Sequence, residues 1–461
     1  MSRIGAFILF LIMGAAITGC SGSNNDIVDM LIAPLPVDLD HQLRSLIETQ
    51  GIRRLDPGPE PDAELVALGR ALFFDKILSG NQDISCATCH HPTFSGGDAL
   101  PVAIGTGGTG LGDSRILGKE RNLIPRNSPE IFNRGFAEWT SMFWDSRVAL
   151  GVDGQFISPA GDQLPEGLAD VLSVQAMFPV TSRDEMRGSY ADAGATNGDN
   201  ELTLLDDDDF PAIWQALMAR LFAYPEYAQM FENAYPEITL DELGFQHAAN
   251  AIAAFEIQAF TLHHGPWYNY LAGDDAAIPD AAKEGAILFY DQAGCADCHS
   301  GPLFTDQEHH VLAAPQVGPG KGEQAPWDLG RFRETGNTAD KFAFRTPPLY
   351  NVSQTGPWMH DGAYNSLEAV IRHHLNPASS LRSYDPEKYL PPEVVSTFQD
   401  DEGLAGQMLA NLDPLVTEVR TLTDDQIASL VAFLDCLTDP AVAELDTLVP
   451  KSVPSGLPIQ D

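Results

Sequence analysis

Two copies of one short motif constrain this chain more than any other feature. Residues 86–90 and 295–299 both read Cys-x-x-Cys-His. This spacing lets two thiols form thioethers with the vinyl groups of one porphyrin, and it places the next histidine under the iron as an axial ligand. A zinc site or a redox dithiol is the alternative for a Cys-x-x-Cys pair, but the other pieces of such sites are missing. The sequence therefore predicts two covalent haem c groups, attached through Cys86, Cys89, Cys295 and Cys298, with His90 and His299 as axial ligands.

The N-terminus has the pattern of an export signal. Arg3 precedes an apolar run at residues 4–17, which is too short to span a bilayer as a permanent helix, and Cys20 follows. The segment resembles a bacterial lipoprotein signal, in which this cysteine becomes the lipidated first residue. An ordinary secretory signal cut nearby is the alternative, and both export the chain, as haem c attachment requires. We expect a periplasmic protein held at the membrane through lipidated Cys20.

The charge of the chain limits the kinds of macromolecule that it is expected to bind. The 461 residues carry a formal net charge of −39, which argues against nucleic acid and favours a basic electron-donor protein. Four consecutive aspartates at residues 206–209 could bind calcium, but we interpret them as a solvated loop. Cys436 lies in an apolar helical stretch and is interpreted as a buried core thiol.

Helical periodicity and an internal repeat predict a mainly α protein. An amphipathic helix fits residues 63–75 before the first motif, and residues 281–291 repeat the arrangement before the second. The parallel between Gly-Arg-Ala-Leu-Phe-Phe-Asp and Gly-Ala-Ile-Leu-Phe-Tyr-Asp indicates two cytochrome-c-like haem domains related by internal duplication. Pro236 and Asp241, just before a long apolar helix, mark the expected boundary. The predicted organisation is a signal peptide at 1–19, a tether and N-terminal extension at 20–60, haem domains at 61–240 and 241–440, and a tail at 441–461.

The second axial position of each iron separates a catalyst from an electron carrier. A catalyst keeps this position open, whereas a carrier fills it. The sequence has no histidine between His91 and His247, and His91 adjoins the proximal ligand, so we expect an open first haem. The other ligands that could close it are Met142, Met177 and Met186. The second domain offers three histidines and is expected to hold a six-coordinate haem: His360, His373 and His374.

From about residue 60 to 440 the chain resembles the bacterial di-haem cytochrome c peroxidases, including their MauG-like branch. The motifs that carry the resemblance occur in order: the first Cys-x-x-Cys-His, Pro-Arg-Asn-Ser-Pro at 125–129, Phe-Trp-Asp-Ser-Arg at 143–147, Gln175 through Glu185 and Met186, the second Cys-x-x-Cys-His, Phe-Arg-Thr-Pro-Pro-Leu at 344–349 and Trp-Met-His-Asp-Gly at 358–362. The resemblance implies a mainly α fold, with two cytochrome c domains and a calcium ion between them.

Carried over by position, several residues acquire expected roles. Trp144 resembles the tryptophan between the two haems, with a core aromatic as the alternative. Glu185 resembles the distal acid of the peroxidatic haem, with a surface glutamate as the alternative; a carboxylate there can move a proton between the peroxide oxygens. Gln175 and Pro179 match further distal-pocket positions. The residues that resemble the protein ligands of calcium, which prefers oxygen donors, are Asn127, Thr346 and Pro348.

Two departures from the family pattern matter. Members that need reductive activation carry a histidine in the loop after the first haem motif, whereas residues 104–106 read Ile-Gly-Thr here. This implies a site that is open in every redox state, as in MauG. In addition, His374 aligns with the axial Met or Tyr of the second haem, and His373 competes for the role. A bis-histidine haem would have a lower potential than a His/Met haem.

The resemblance implies reduction of hydrogen peroxide at the first haem, with electrons from a small cytochrome c or copper protein. The alternative within the family is oxidation of a Trp or Tyr of a partner protein by a high-valent di-haem intermediate. A hypothesis of another class is a non-enzymatic di-haem electron-transfer protein, which would need both irons saturated. The resemblance also allows a homodimer.

Overall fold

Short helices joined by long loops dominate the computed structural model, which describes residues 38–192 and 200–459. The expected signal peptide and Cys20 lie outside the described residues. Within them the α-helices are α1 (Leu39–Thr49), α2 (Ala63–Phe74), α3 (Cys86–Cys89), α4 (Val171–Ala176), α5 (Phe210–Phe222), α6 (Pro225–Ala234), α7 (Phe245–Phe260), α8 (Pro266–Leu271), α9 (Asp280–Tyr290), α10 (Phe332–Thr335), α11 (Leu367–Leu375), α12 (Pro377–Arg382), α13 (Pro386–Tyr389), α14 (Pro392–Val395), α15 (Glu402–Ala410) and α16 (Asp424–Asp435).

Strands and tight helical turns complete the described chain. One antiparallel sheet has the order β1 (Ser141–Met142), β2 (Val148–Leu150), β3 (Phe156–Ile157), and a second pairs β4 (His309–His310) with β5 (Phe344–Arg345). A π-helical turn spans Arg183–Arg187. The 3₁₀ turns are Lys76–Leu78, Pro92–Phe94, Gly112–Ser114, Gly161–Gln163, Pro179–Thr181, Tyr190–Asp192, Glu201–Leu204, Leu240–Glu242, Cys295–Asp297, Gly322–Gln324, Thr338–Asp340, Val352–Gln354, Pro414–Val416 and Pro440–Leu448. The chain is therefore mainly helical, as predicted.

Two helix pairs of the same design form the centres of the two halves. Helix α2 crosses α7 at Gly69, where an added Cβ would lie 1.8 Å from the carbonyl oxygen of Ala251. Helix α9 crosses α16 at Gly285, where the corresponding distance to the carbonyl oxygen of Ser429 is 1.9 Å. Only glycine allows two backbones to approach this closely. Each pair therefore depends on the glycine that opens the repeated sequence.

Helix α7 follows the predicted domain boundary near residue 240, which stays a prediction. Pro236 and Asp241 lie ahead of this helix, as the sequence indicated, and α7 packs against α2 and α4. Helix α9 and its partner α16 then form the second pair.

Described segments on both sides of these helix pairs are bonded to them. Asp75, which caps the end of α2, is fully buried and accepts hydrogen bonds from the hydroxyls of Tyr227 at 2.7 Å and Ser455 at 2.6 Å. The described part of the expected tail thus returns to the first half, and Leu445 is buried there. Helix α1 lies inside the expected extension and is joined to α9 by an Asp40–Lys283 ion pair of 2.8 Å.

Smaller predictions can also be checked. Cys436 is buried, and the four aspartates at 206–209 are exposed in a loop, as expected. Within the described ranges no single helix is long and apolar enough to cross a bilayer; α16 and the Pro440–Leu448 turn satisfy length and composition together, with a 47° bend between them.

The glycine crossings lead to a stability prediction. Gly285→Ala should lower the free energy of unfolding by about 1–3 kcal/mol, because the new methyl group overpacks the contact with the α16 backbone. The matched control is Gly406→Ala in α15, where an added Cβ meets nothing within 4 Å and helix propensity should add up to about 1 kcal/mol. Urea unfolding of the haem-loaded protein measures both, and equal midpoints for the two variants would contradict the prediction.

Candidate functional site

Two large cavities lie beside the two haem-attachment motifs. The first encloses about 1380 Å³ of empty space, including its mouth, and is lined by Cys86, Cys89 and His90. The second encloses about 1640 Å³ and is lined by Cys295, Cys298 and His299. None of these four cysteines is joined in a disulfide within the described residues, so all four are available for thioether bonds. Each cavity therefore brings together one complete set of attachment groups.

The local backbone orients both motif histidines in the same way. His90 Nδ1 donates to the carbonyl of Gly96 at 3.1 Å, and His299 Nδ1 donates to the carbonyl of Phe304 at 3.0 Å. This leaves Nε2 of each ring for a metal, and such a second bond is how proteins fix the tautomer of a metal-binding histidine. Burial lowers the pKa of both imidazoles to about 4, so they are neutral near pH 7, the form that binds metals.

The charges around the first cavity fit a haem with its propionates. Five cationic side chains line it, and the Nη1 atom of Arg134 is buried without a hydrogen-bond partner in the described part of the chain. A buried, unpaired guanidinium nitrogen is costly, and a propionate carboxylate would satisfy it. The cations are Arg126, Arg134, Arg147, Lys321 and Arg345.

A buried ion network joins the two halves beside the first cavity. The Arg126 guanidinium contacts Asp328 through two nitrogens at 2.6 and 3.0 Å and Asp145 through a third at 2.6 Å. Arg147 and Lys321 lie 3.1 and 3.5 Å from Asp145. Although burial opposes ionisation, Arg147 and Arg126 hold the pKa of Asp145 well below its usual range. Burial, helped by the two arginines, lowers the pKa of Lys321 to about 7.

Trp144 lies in the wall between the cavities. Its side chain lines both, and its Nε1 donates to the backbone carbonyl of Asn127 at 3.0 Å. Asn127 in turn donates from its backbone NH to the carbonyl of His360 at 2.8 Å. The structure thus places the tryptophan of the Phe-Trp-Asp motif against both candidate haem sites.

Glu185 lies on the π-helical turn and lines the first cavity. Gln175 and Pro179 precede this turn in the sequence and line the same cavity. Two glycines allow the chain to pack against this turn. An added Cβ at Gly105 would lie 1.8 Å from the carbonyl oxygen of Asp184, and one at Gly80 would lie 1.8 Å from that of Arg187. The sequence of the 104–106 loop shows that it lacks a histidine, whereas the lack of room for any side chain at position 105 is visible only in the structure.

Backbone hydrogen bonds fasten the same turn. The NH of Thr106 donates to the carbonyl of Glu185 at 2.8 Å, and the NH of Gly80 donates to that of Met186 at 2.7 Å. Among the described residues that line the first cavity, His90 is the only histidine. Of the three methionines left open as ligands, Met142 and Met186 line the cavity, whereas Met177 is buried outside its wall.

The two competing histidines of α11 occupy different environments. His374 lines the second cavity, and its Nδ1 donates to the carbonyl of Val370 at 2.8 Å, which leaves Nε2 available. His373 does not line the cavity. Its Nε2 donates to the carbonyl of Leu312 at 2.8 Å, and its Nδ1 accepts from the Tyr364 hydroxyl, 2.9 Å away.

The other candidate residues also lie at the second cavity. His360 lines it with its ring stacked 3.6 Å from that of Phe344. Asn127, Thr346 and Pro348 line the same cavity. The amide nitrogen of Asn127 is bound to the carbonyl of Leu100, so its side-chain oxygen remains for a cation.

Known proteins resemble this chain in sequence and in fold. The sequence model of the family described as di-haem cytochrome c peroxidase matches residues 63–276. The methylamine utilization protein MauG of Methylorubrum extorquens is 30% identical over 89% of this chain and 94% of its own length. Cytochrome c551 peroxidase of Pseudomonas aeruginosa is 29% identical over 66% of this chain and 69% of its own. Among solved structures, a MauG-like protein associated with microbial copper homeostasis has a TM-score of 0.58 and 25% identity, covering 85% of this chain and 94% of that one.

The contrast between the two histidines predicts a spectroscopic difference. His374→Ala should change the spin or ligand state of the second haem, because the variant removes the Nε2 that faces the cavity. His373→Ala should cost stability through two lost hydrogen bonds yet keep the haem spectrum. Low-temperature EPR of the ferric proteins measures both. An unchanged low-spin signal in His374→Ala would assign the ligand to another residue.

Proposed function

The chain belongs to the di-haem cytochrome c peroxidase family, and on that premise we propose that it reduces hydrogen peroxide to water with electrons from a small cytochrome c or copper protein. One observation carries the proposal. His90 is the only histidine among the described residues lining the first cavity, and Glu185 lines the same cavity. We propose that Met142 and Met186, which also line this cavity, do not bind the iron. An iron held on one side by His90 then keeps a position for peroxide, with a carboxylate in the same pocket to move protons.

When bound, the haem iron supplies the position for peroxide and takes up the redox change of O–O cleavage. Glu185 would accept a proton from one peroxide oxygen and return it to the other, which would then leave as water. The carboxylate is regenerated when it returns the proton, and the backbone hydrogen bonds from Gly80 and Thr106 hold its turn in place. Gln175 supplies a further polar group in the pocket.

The Gly105 contact supports a site that is open in every redox state. A histidine side chain at this position could not coexist with the observed approach of the loop to the Asp184 carbonyl. The loop is also held from its other side, because the Arg115 guanidinium donates to the carbonyls of Ile104 and Gly105 at 2.8 and 2.9 Å. We therefore propose that no activation step moves a ligand away from the first iron.

Electrons would enter at the second cavity and cross to the first through Trp144. We propose His374 as the distal axial ligand of the second haem, because its Nε2 is available at the cavity wall. Leu415 lines this cavity and is 38% exposed. An exposed apolar contact of this kind, on a chain with a formal net charge of −39, suits a small donor with a basic surface.

We also propose an origin by duplication, a calcium site and export of the chain. The two helix pairs, each crossing at the glycine of a repeated sequence, support an origin by internal duplication. Asn127, Thr346 and Pro348 are proposed to supply oxygen ligands to calcium beside the second cavity. Export to the periplasm with a lipid on Cys20 is proposed from the signal sequence alone.

A second candidate function is oxidation of a Trp or Tyr of a partner protein by the same pair of haems. The absence of a histidine from the 104–106 loop and the 30% identity to MauG favour it. Steady-state consumption of peroxide with reduced cytochromes or copper proteins from the same source separates the two. Fast turnover supports the peroxidase. Slow turnover, accompanied by a peroxide-dependent mass change in a co-purifying protein, supports the alternative.

The proton-transfer role predicts the effect of Glu185→Gln. The amide keeps the size of the side chain but cannot take up the proton, so the pre-steady-state reaction with peroxide should slow by about 10²–10⁴. Asp184→Asn is the matched control, because Asp184 is the exposed neighbour outside the cavity wall. Stopped-flow absorbance of both haems gives the rates. A rate for Glu185→Gln within about threefold of the parent is too small for loss of a general acid–base.

Because Trp144 lies between the two cavities, its replacement is predicted to weaken electron transfer between the two haems selectively. Trp144→Phe should leave the first haem reactive towards peroxide but suppress the accompanying change at the second, because phenylalanine is much harder to oxidise. Trp139→Phe is the matched control, since Trp139 is a buried tryptophan that donates to a backbone carbonyl at 2.6 Å but lines neither cavity. Two-haem oxidation that persists in Trp144→Phe would assign the electron route to other residues.

A further inference from the structure

Behind the second cavity, a column of oxidisable aromatic rings leads away from the haem site. Phe289 lines the cavity, and the centroid of the Tyr290 ring lies 5.1 Å from that of Phe289. Trp267 stacks with Tyr290 at 6.4 Å and with Tyr270 at 5.7 Å, with interplanar angles of 25° and 14°. Rings this close allow an electron to pass from each to the next.

At the outer end of the column, Tyr270 is bonded to a group that can accept its proton. The Tyr270 hydroxyl donates to the Asp40 carboxylate at 3.0 Å, and Lys283 donates to the other oxygen of Asp40 at 2.8 Å. The hydrogen bond from Lys283 lowers the pKa of Asp40, so the carboxylate is ionised and can accept. The Arg44 guanidinium lies 4.1 Å above the Tyr270 ring. This cation opposes positive charge on the ring, so an electron leaves Tyr270 only together with its proton.

The inner members of the column have no such acceptor. The Tyr290 hydroxyl and the Trp267 Nε1 are buried without hydrogen-bond partners in the part of the chain that the structure describes. Tyr290 and Trp267 can transfer an electron, but they cannot form stable neutral radicals, because no acceptor is bonded to the proton that each would have to lose. An oxidising equivalent that enters the column therefore comes to rest at Tyr270.

The first half provides an internal comparison. In the repeated sequence, Phe74 occupies the place of Tyr290. Its close ring neighbours are Phe73 and Phe255, at centroid distances of 5.3 and 5.9 Å. Phenylalanine is much harder to oxidise than tyrosine or tryptophan. The oxidisable column is thus specific to the half that holds the second haem.

We propose that Tyr290, Trp267 and Tyr270 form a one-electron relay between the second haem and the surface at α1, with Tyr270 as the electron source and Asp40 as its proton acceptor. The relay rests on the proposed function, because hydrogen peroxide is the oxidant. Tyr270 loses one electron and its O–H bond breaks. The proton moves to Asp40, and the electron passes through Trp267 and Tyr290 to the second haem, which is reduced by one equivalent.

The relay supplies an electron when no donor protein is docked. It leaves a neutral tyrosyl radical beside a protonated Asp40. A one-electron reductant that reaches the surface at Arg44 and Asp275, which are 32% and 59% exposed, restores the phenol, and Asp40 returns the proton.

The test is freeze-quench EPR of the full-length, haem-loaded protein after one equivalent of peroxide without donor. The parent protein should show a tyrosyl radical whose hyperfine pattern changes when its tyrosines are deuterated, and Tyr270→Phe should abolish it. Tyr227→Phe is the matched control, because Tyr227 is an equally buried tyrosine bonded to a carboxylate, Asp75, at 2.7 Å, but lies outside the column. This variant should keep the signal.

Two further variants test the links without removing the end point. Tyr290→Phe, which installs the residue of the first half, should suppress the Tyr270 radical, and Asp40→Asn should lower its yield several-fold. A radical that survives in Tyr270→Phe, or one lost in Tyr227→Phe, would overturn the relay. If both haem spectra respond to peroxide but no tyrosyl radical forms, the relay alone fails. If the haem spectra of the parent do not respond, the proposed function fails and the relay fails with it.

Discussion

The buried guanidinium of Arg126 is the contact on which the arrangement of the two halves depends. Its three nitrogens reach Asp145 in the first half and Asp328 in the second, so its own position is fixed only when both halves are in place. Removing one partner of such a network typically costs about 3–5 kcal/mol, because an uncompensated charge stays buried. Trp144 immediately precedes Asp145 in the sequence. The ion network of Arg126 therefore also fixes the wall between the cavities.

The same cluster supplies more positive than negative charge. Arg126, Arg147 and Lys321 are paired with Asp145 and Asp328, and burial, helped by the two arginines, lowers the pKa of Lys321 to about 7. A haem whose propionates point into the cluster would balance it. Haem binding and docking of the two halves are therefore electrostatically coupled, and we expect the halves to hold together best once the first cavity is filled.

Much of this could be predicted from the sequence, because the covalent chemistry of haem c leaves a local signature. The attachment motifs, the mainly helical fold and the α2 and α9 segments all follow from short-range patterns. The helix that pairs with α2 could not be predicted in this way, since the contact of Gly69 with Ala251 joins residues more than 180 positions apart. Likewise, the family resemblance favours His374 over His373 only by alignment, and the partners Leu312 and Tyr364 supply the physical difference between them.

The two halves share a helix arrangement but differ in how electrons can move through them. Both halves place a helix crossing at glycine beside an attachment motif, and both orient the motif histidine through a backbone carbonyl. The halves differ in what surrounds this frame. Phenylalanines surround Phe74 in the first half, so an oxidising equivalent there has Trp144 as its route outward along the cavity wall. Tyr290 and Trp267 stand behind the cavity in the second half. The distribution of oxidisable rings thus gives a direction to charge flow that two chemically similar haems could not supply by themselves.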